Sequence, residues 1–466
     1  MTHKSFTDRG HDLLISISGI RGTIPGGLDP DNIVAFAKAF ASVTKGKRVV
    51  VGYDARPTGP ALQNLFQGTL MAAGKQVLDA GLCPTPTVKA AVREFRAAGG
   101  VMISASHNPL QWNGFKLIKG DGLFFDAAAS RSFLRALERG DYKAVDHKAI
   151  GQVRSIDAIQ SHIESVLEVL PNVAAIRKMK YQVVVDGVAG AGREALPALL
   201  EELGCKVIRL FCEATPGGRF PRPPEPNPAA LRKFGATVRG HHAAVGFALD
   251  PDADRLVTGS PTAGAIHEEF TLPLALLGMP TRKGRLSGKI VVNLSTATLI
   301  DSVAGELGAS VVRSAVGEAN VVAEMQKVRA IFGGEGNGGV IHPKVPSFGR
   351  DSLVGAGLIL SAMANSGASS LDDLMKRMPP LYMEKTKIEL GRLKPAESLA
   401  KLEKNLAKQA RLDKRDGLHA RFEDGSWLHL RASNTEPILR LIAQASDRPE
   451  LRRLIEDAKK SLGPGA

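Results

Sequence analysis

The chain has 466 residues, 44% of them hydrophobic and 23% charged, a composition typical of a globular protein with several domains. Its formal net charge is +14, but the basic residues are scattered and aromatic residues make up 5%, so we expect small phosphorylated partners rather than nucleic acid. No run of about 18 apolar residues occurs, the first ten residues are too polar for a secretory signal, and the three cysteines are too widely spaced for a zinc site or disulfide framework, which predicts a cytoplasmic protein without a membrane partner.

Most of the chain is organised around nine short apolar runs in three groups of three, with helical stretches between the runs. The runs cover residues 47–51, 75–78 and 101–104, then 180–186, 205–208 and 245–249, then 289–293, 309–312 and 330–332. Each run is typical of a buried parallel strand. The pattern predicts three βαβαβ units that form a degenerate repeat. The alternative is one large sheet, because the groups match in pattern and not in identity.

Unusual residues follow the third strand of each unit. They are Ser106 in the first unit, a run of aspartates at 250–255 in the second and a glycine-rich loop at 333–339 in the third. Loops at equivalent edges of three adjacent units can meet in one cleft, so we expect a single site built by the whole assembly.

From about residue 380 the pattern changes to that of a small α+β domain. The predicted elements are strands at 383–390, 420–430 and 439–443 and helices at 395–410 and 448–462. Asp424-Gly425 predicts a hairpin turn. Asp447 is the predicted N-cap of the last helix, with Glu450 at the spacing of a capping box.

The predicted fold is therefore three similar α/β domains and a smaller C-terminal α+β domain around a central cleft. We predict domains at 1–152, 153–258, 259–378 and 379–466. In chain order they carry the serine loop, the aspartate loop, the glycine-rich loop and an arginine-containing loop.

Ser106 lies in a Ser-Ala-Ser-His-Asn-Pro segment that follows a predicted buried strand, where open α/β sheets bind ligands. A serine hydroxyl needs a neighbouring base or metal to become a good nucleophile, and His107 and Lys116 are close in sequence. The segment is thus a candidate catalytic loop. An ordinary turn rich in Ser, Asn and Pro is the alternative.

Asp250, Asp252 and Asp254 place three carboxylates at alternate positions directly after a strand. Oxygen ligands at this spacing suit a hard divalent cation, and Mg²⁺ is the one that usually acts beside phosphate. A capped acidic turn is the alternative, although such a cluster would repel itself without a counter-ion.

The C-terminal domain carries a loop with the donors that a phosphate monoester needs. Arg431 is followed by Ser433, Asn434 and Thr435, and Arg440 comes shortly after. Guanidinium groups can bind phosphate through two hydrogen bonds. A plain turn between strands is the alternative.

Two weaker signals complete the candidate site. Glu335 and Asn337 lie in the glycine-rich loop, where a carboxylate and an amide suit sugar hydroxyls. Near the start, Arg21 and Arg56 stand beside glycines, as anion contacts require, although surface turns have the same composition.

Together these segments resemble the α-D-phosphohexomutase family, which includes phosphoglucomutase, phosphomannomutase and phosphoglucosamine mutase. The resemblance covers nearly the whole chain and rests on five segments in the order of the family. They are Ser-Gly-Ile-Arg-Gly at 18–22, Ser-Ala-Ser-His-Asn-Pro at 104–109, Asp-Pro-Asp-Ala-Asp-Arg at 250–255, Gly-Glu-x-Asn-Gly at 334–338 and Arg-x-Ser-x-Thr-Glu-Pro at 431–437.

The resemblance implies a mutase that interconverts hexose 1-phosphate and 6-phosphate through a phosphoserine and a hexose 1,6-bisphosphate, which also serves as activator. It implies that Ser106 carries the phosphoryl group and binds Mg²⁺ together with the three aspartates. Glu335 and Asn337 would bind the sugar, and the Arg431 loop its phosphate. We expect Arg255 and Lys116 to neutralise charge during transfer.

This chain departs from many family members at two loops. Where many have Ser-Gly-His, it has Asn337-Gly338-Gly339, so Lys116 becomes the better candidate for the general base. Where many have Gly in the phosphate loop, it has Asn434. These variants resemble the archaeal-type phosphoglucosamine and phosphomannomutases. Phosphoglucomutase, a phosphoserine-forming phosphatase and a non-enzymatic basic binding protein stay open as alternatives, as does the oligomeric state.

Overall fold

A computed structural model describes residues 12–16, 19–391, 394–432 and 438–462. Within these residues the strands form four separate sheets, three in α/β units and one in a smaller C-terminal unit. The predicted fold class is confirmed, and a single large sheet is excluded.

The first unit has a mixed sheet in the order β1-β2-β6-β5-β3-β4-β7. Its elements are β1 (Leu13–Ser16), β2 (Gly19–Thr23), α1 (Pro30–Val43), β3 (Arg48–Tyr53), α2 (Gly59–Ala72), β4 (Gln76–Leu82), α3 (Thr85–Glu94), β5 (Gly99–Ile103), β6 (Trp112–Lys119), α4 (Ala127–Arg139) and β7 (Val153–Ser155). Every residue of β5 is buried, because helices cover both faces of the sheet.

The second unit has the sheet order β12-β11-β10-β8-β9. Its elements are α5 (Ala158–Val169), α6 (Val173–Met179), β8 (Gln182–Asp186), α7 (Ala195–Glu202), β9 (Lys206–Leu210), α8 (Arg232–Gly240), β10 (Val245–Leu249), β11 (Leu256–Ser260) and β12 (Gly264–Ala265).

The third unit has the sheet order β14-β13-β15-β16. Its elements are α9 (Thr271–Leu277), β13 (Lys289–Asn293), α10 (Leu299–Glu306), β14 (Ser310–Ser314), α11 (Glu318–Val328), β15 (Phe332–Glu335), β16 (Gly339–Ile341), α12 (Ser352–Ser366) and α13 (Leu371–Met375).

The three units share one arrangement of four strands: β4-β3-β5-β6, β9-β8-β10-β11 and β14-β13-β15-β16. The first three strands of each set are parallel, and the fourth pairs antiparallel with the third. The loop between the third and fourth strands is therefore the same structural position in every unit. Those loops contain Ser106, the three aspartates and residues 336–338 of the glycine-rich segment, whose other residues lie in β15 and β16.

The C-terminal unit is an antiparallel sheet, β17-β21-β20-β19-β18, covered by helices. Its elements are β17 (Tyr382–Glu389), α14 (Pro395–Leu406), β18 (Arg411–Asp413), β19 (Leu418–Arg421), β20 (Trp427–Ala432), β21 (Ile438–Ala445) and α15 (Arg448–Leu462). The predicted turn and cap are present: Gly425 has φ of 86°, and the Asp447 carboxylate accepts from the Glu450 N–H at 2.8 Å.

The cores show which units pack together. Side chains of the second and third units form one continuous apolar core, whereas the C-terminal unit has a core of its own. Leu123 of the first unit packs among apolar residues of the third. Among the described residues, none of the helices is both long and apolar enough to span a lipid bilayer.

The four domain ranges given above stay a prediction. Sheet pairing would place two boundaries slightly later, because β7 pairs with β4 of the first sheet and β12 pairs with β11 of the second.

Candidate active site

Three loops from three units meet at one place. The Ser106 Oγ lies 3.4 Å from Asp250 Oδ2, and the Lys116 ammonium contacts Asp252 and lies 3.6 Å from Asp254 Oδ2. The side chain of Arg350, from the third unit, reaches Asp254 at 2.5 Å. Residues that are 144 positions apart in the chain thus share one buried cluster.

Ser106 sits on a tightly held turn. Its φ is 52°, in the left-handed region that costs energy for a residue other than glycine, and it is 3% exposed. The turn is held by Ser104, whose hydroxyl accepts from the Ser106 N–H at 2.9 Å, and by Arg56, which donates to the carbonyls of Ser106 and Asn108 at 2.7 Å. The fold therefore fixes where the Ser106 hydroxyl points.

Each aspartate of the triad has one oxygen held by the protein. Asp250 Oδ1 accepts from two backbone N–H groups at 3.1 Å, Asp252 Oδ2 accepts from Thr85 and Lys116, and Asp254 Oδ2 accepts from Arg350. The remaining oxygens of Asp252 and Asp254 are buried without a hydrogen-bond partner. All three side chains are fully buried.

This arrangement fits a divalent cation. Buried carboxylate oxygens without partners are costly unless a ligand binds them, and ligand atoms of the three aspartates lie within 4.8 Å of one another. Burial and the two neighbouring carboxylates raise the pKa of Asp250 well above its usual value. A bound cation would relieve that repulsion.

Lys116 is a buried cation rather than a ready base. Burial alone would lower its pKa, but the carboxylates of Asp252 and Asp254 outweigh burial and raise the pKa above its usual value. The ammonium therefore keeps its proton at neutral pH. In this state it suits charge neutralisation or proton donation better than proton removal.

Positive charge surrounds His107. Burial, and then Arg255, Arg21 and Arg440, lower the pKa of His107 well below its usual value, so the imidazole is neutral. Its buried Nδ1 has no hydrogen-bond partner. Arg21 donates to the Asn108 side chain at 2.8 Å, and Arg255 contacts Glu225 at 3.3 Å. These arginines make the surroundings of the serine loop positively charged, which favours binding of an anion there.

The glycine-rich loop presents Glu335 and Asn337 differently. The Glu335 carboxylate is 2% exposed and accepts from Asn293 and the Gly317 N–H at 2.8 Å and from Arg350 at 3.1 Å. The Asn337 carbonyl oxygen is buried without a hydrogen-bond partner. Asn337 thus has an acceptor available to a ligand, whereas Glu335 is anchored in the protein.

The C-terminal loop is described at its two ends. Arg431 is buried and lies 3.2 Å from Asp416. Arg440 stands opposite Arg431 in the register of the neighbouring strands β20 and β21. The charge of Arg440 contributes to lowering the pKa of His107, which follows Ser106 in the chain. Ser433, Asn434 and Thr435 lie outside the described residues.

The structure corrects one interpretation and adds residues that the sequence did not indicate. Arg56 is 1% exposed and clamps the serine loop, so its interpretation as an anion contact is wrong. Arg222 likewise binds Asp186 and the Leu249 carbonyl just before the aspartate loop. Arg350 was missed because it lies beyond the glycine-rich motif. A lone arginine beside Gly349 was its only signal.

Comparison with known proteins agrees with this architecture. Family models described as phosphoglucomutase/phosphomannomutase alpha/beta/alpha domains I, II and III match residues 13–143, 160–261 and 272–382, and the C-terminal domain model matches 386–461. A "Phosphoglucomutase/phosphomannomutase" of Thermococcus kodakarensis is 34% identical, over 96% of this chain and 98% of its own. A "Probable phosphoglucosamine mutase" of Thermococcus gammatolerans is 32% identical, over 95% and 96%.

A crystal structure of a phosphoglucomutase/phosphomannomutase family protein from Burkholderia thailandensis has the same fold. Its TM-score is 0.81 at 24% identity, with 97% of this chain and 99% of that chain covered. The chain therefore belongs to the phosphoglucomutase/phosphomannomutase family, the α-D-phosphohexomutases. Phosphohexomutase activity is the function that this membership supports.

Proposed function

We propose that this protein is a phosphoglucosamine mutase or phosphomannomutase that works through a phosphorylated Ser106. One observation carries the proposal: a buried serine hydroxyl on a strained turn, 3.4 Å from a carboxylate triad whose free oxygens suit a cation. The Thermococcus kodakarensis relative is named for glucose and mannose phosphates and the Thermococcus gammatolerans relative for glucosamine phosphate, so their names include both proposed sugars.

In the proposed cycle the bond between phosphorus and Ser106 Oγ breaks as a hydroxyl of the bound hexose monophosphate attacks. The product is a hexose 1,6-bisphosphate. This intermediate reorients in the cleft and returns its other phosphoryl group to Ser106. Added bisphosphate would serve as activator by loading the serine. Phosphoryl transfer depends mainly on position and on neutralised charge, which the buried cluster provides.

The residues divide these tasks. Asp250, Asp252 and Asp254 would hold Mg²⁺ beside the phosphoserine, and the cation would neutralise the phosphoryl oxygens. Lys116 and Arg255 add positive charge on the protein side. The attacking hydroxyl loses its proton as the new bond to phosphorus forms. The Nδ1 atom of His107 is an acceptor without a partner in this cluster, but burial and the nearby arginines make the imidazole a weak base.

Substrate binding would fall to the other two units. Asn337 would contact the sugar through its unpartnered side-chain oxygen, and Glu335 through the remaining acceptor capacity of the carboxylate that protein donors hold in place. Arg431, Arg440 and the 433–435 segment would bind the phosphate that is not being transferred. Arg21, held at the serine loop by its hydrogen bond to the Asn108 side chain, would add a further positive charge there. Small sugar phosphates are the proposed partners, in the cytoplasm.

The test is Ser106→Ala. We expect mutase turnover of glucosamine and mannose phosphates to be abolished, with an unchanged unfolding midpoint, because the alanine removes only the acceptor oxygen. Ser132→Ala, on the exposed face of α4, is the matched control and keeps full activity. After incubation with bisphosphate, mass spectrometry should find the phosphoryl group on the peptide with Ser106. Retained turnover in Ser106→Ala, or release of inorganic phosphate in place of isomerised sugar, would reject the proposal.

The preferred sugar follows from comparing kcat/KM for glucosamine, mannose and glucose 6-phosphates under one activator concentration. We expect glucose phosphate to be the poorest substrate. A clear preference for glucose phosphate would make the protein a phosphoglucomutase instead.

A further inference from the structure

Arg350 lies between two parts of the candidate site that come from different units. Its guanidinium donates to Asp254 Oδ2 at 2.5 Å, to Glu335 Oε2 at 3.1 Å and to Glu318 Oε2 at 3.3 Å. The side chain is 13% exposed. One guanidinium group therefore bridges the aspartate loop and the glycine-rich loop.

The third contact ties this bridge to the first unit. Glu318 also pairs with Lys89, which is 1% exposed, on α3. Two further hydrogen bonds join the second and third units here: the Leu256 N–H donates to the Gly338 carbonyl at 3.0 Å, and the Ser352 hydroxyl, at the start of α12, donates to the Ala253 carbonyl at 2.7 Å. Arg350 is thus the charged centre of a hydrogen-bonded junction between the three units.

The contacts of Arg350 determine which oxygens stay free. By holding Asp254 Oδ2 it leaves Oδ1 without a hydrogen-bond partner in the cation site. Without the guanidinium, the Asp254 carboxylate could turn to Lys116, which already lies 3.6 Å from Oδ2. Glu335 would at the same time lose the donor that fixes its second oxygen.

Gly339 provides the space that this side chain needs. A Cβ atom built at residue 339 would lie 2.3 Å from Arg350 Cδ and 2.7 Å from Cγ, so any side chain there would displace the arginine. The backbone of Gly339 does not require glycine, because its φ is not positive. The glycine is therefore explained by the arginine that passes over it.

We propose that Arg350 is a positioning residue that couples the cation site to the sugar-binding loop, and that Gly339 is glycine to admit it. This inference rests on the proposed function, since it assigns a cation to the aspartates and a sugar to the glycine-rich loop. The Arg350 side chain then orients Asp254 in the cation site and Glu335 in the sugar-binding loop.

The test measures binding without turnover, by calorimetry on the full-length enzyme. One titration uses Mg²⁺ alone, and the other uses glucosamine 6-phosphate in EDTA. We expect Arg350→Gln to weaken both affinities by about tenfold or more, as for other residues that orient metal ligands. Gly339→Ala should reproduce both losses, and should add nothing in an Arg350→Ala background. Gly68→Ala, which faces open space on α2, is the matched control.

The outcomes distinguish failure of the proposed function from failure of the coupling role of Arg350. If wild-type protein binds neither Mg²⁺ nor the sugar phosphate, the proposed function fails. If wild type binds both, the coupling role is overturned when Arg350→Gln changes only one affinity, or when Gly339→Ala behaves like Gly68→Ala. Should Arg350→Gln not fold, Arg350→Lys carries the same comparison, because a single ammonium nitrogen keeps the charge but cannot reproduce the planar fork whose three nitrogens reach Asp254, Glu335 and Glu318.

Discussion

The aspartates of the triad are chemically identical, but the structure gives them opposite energetic roles. Asp252 is paired with Lys116 and Thr85, so its charge is compensated, and these partners outweigh burial and lower the pKa of Asp252. Asp250 faces two carboxylates, and its nearest guanidinium nitrogen, in Arg255, is 4.0 Å away. Without a cation, one negative charge stabilises the fold and the other opposes it.

Asparagine substitutions should therefore have opposite effects on stability in EDTA. Asp250→Asn should raise the unfolding midpoint, because it removes repulsion and its amide oxygen can still accept the two backbone N–H groups. Asp252→Asn should lose about 3–5 kcal/mol, because it leaves the Lys116 charge buried without its closest partner. The measurement is denaturant unfolding of both variants beside wild type.

Magnesium provides the control for this pair. Saturating Mg²⁺ should stabilise wild type by mass action and leave Asp250→Asn nearly unchanged. If both asparagine variants are destabilised equally in EDTA, the different partners of the two carboxylates do not govern stability.

Residue identity alone could not predict these differences. The sequence indicated that Ser106 and the aspartates belong together, because each follows a strand of the same kind. It gave no sign that Lys116 is held by two carboxylates or that Glu335 is anchored by Arg350. Such partners come from other units, at separations that no local pattern encodes.

At the scale of elements, strands β3, β8 and β13, which occupy the same position in the three units, end in the same local hydrogen-bonded structure. Asp54, Asp186 and Asn293 each accept from the N–H two residues later, at 2.9–3.0 Å. The second polar atom of each side chain then fixes the segment after β5, β10 or β15. In the first two units this carboxylate oxygen accepts from Arg56 or Arg222, and in the third the Asn293 amide nitrogen donates to Glu335. The three units therefore share the hydrogen bonds that hold these loops as well as the order of their strands.

Arg56→Lys tests this hydrogen-bonded structure in the first unit. The arginine binds Asp54 and three loop carbonyls with all three of its nitrogens, Nη2 donating to two of the carbonyls, and a single ammonium cannot reproduce this. We expect kcat to fall by about 10²-fold, because a small displacement of Ser106 is enough to slow transfer, with little change in KM. Arg48→Lys, at the exposed start of β3, should behave as wild type. A loss confined to KM would contradict a role in placing the serine.

The neighbouring strands β19 and β20 carry a histidine pair that should make stability depend on pH. Burial, and then His429 and Arg313, lower the pKa of His419 to about 3, and burial lowers that of His429. The folded state keeps these rings neutral while the unfolded chain takes up protons below about pH 6.5. Stability should therefore fall as pH decreases below 6.5, by up to about 1.4 kcal/mol per pH unit for each ring.

His419→Gln should reduce that slope between pH 6.5 and pH 5, whatever its effect on stability at pH 7.5, where both rings are neutral. Urea unfolding at three pH values gives the slope, and His241→Gln, at an exposed position, is the control. An unchanged slope in His419→Gln would mean that this ring does not take part in the linkage.

For the molecule as a whole, the sequence predicted the parallel strands and missed their antiparallel partners. Runs such as 49–51 are buried on both faces and read as unbroken β-branched segments. β16 has three residues and β11 includes a glycine, so each is too short or too mixed to stand out. The relative placement of the units depends on contacts such as the Thr87–His162–Asp351 cluster, which links three units and leaves no periodic signal.

The separate C-terminal core predicts how the molecule unfolds. The contacts of this unit with the third unit include polar ones, such as Ser295 to His429 at 2.8 Å and Thr298 to Gln444 at 3.0 Å, and its apolar core is its own. Polar contacts between units transmit less stability than a shared apolar core does. We therefore expect the C-terminal unit to unfold independently, while the second and third units unfold together.

The two tryptophans of the chain allow this to be measured, because Trp427 lies in the C-terminal unit and Trp112 in the first. Leu441→Ala, in the C-terminal core, should lower the stability reported by Trp427 in a Trp112→Phe background by about 2–5 kcal/mol. The Trp112 signal in a Trp427→Phe background should not move. Leu70→Ala on α2 is the mirror control and should shift only Trp112. If either substitution moves both signals equally, the units unfold as one, and the contacts between them carry more stability than their polar character suggests.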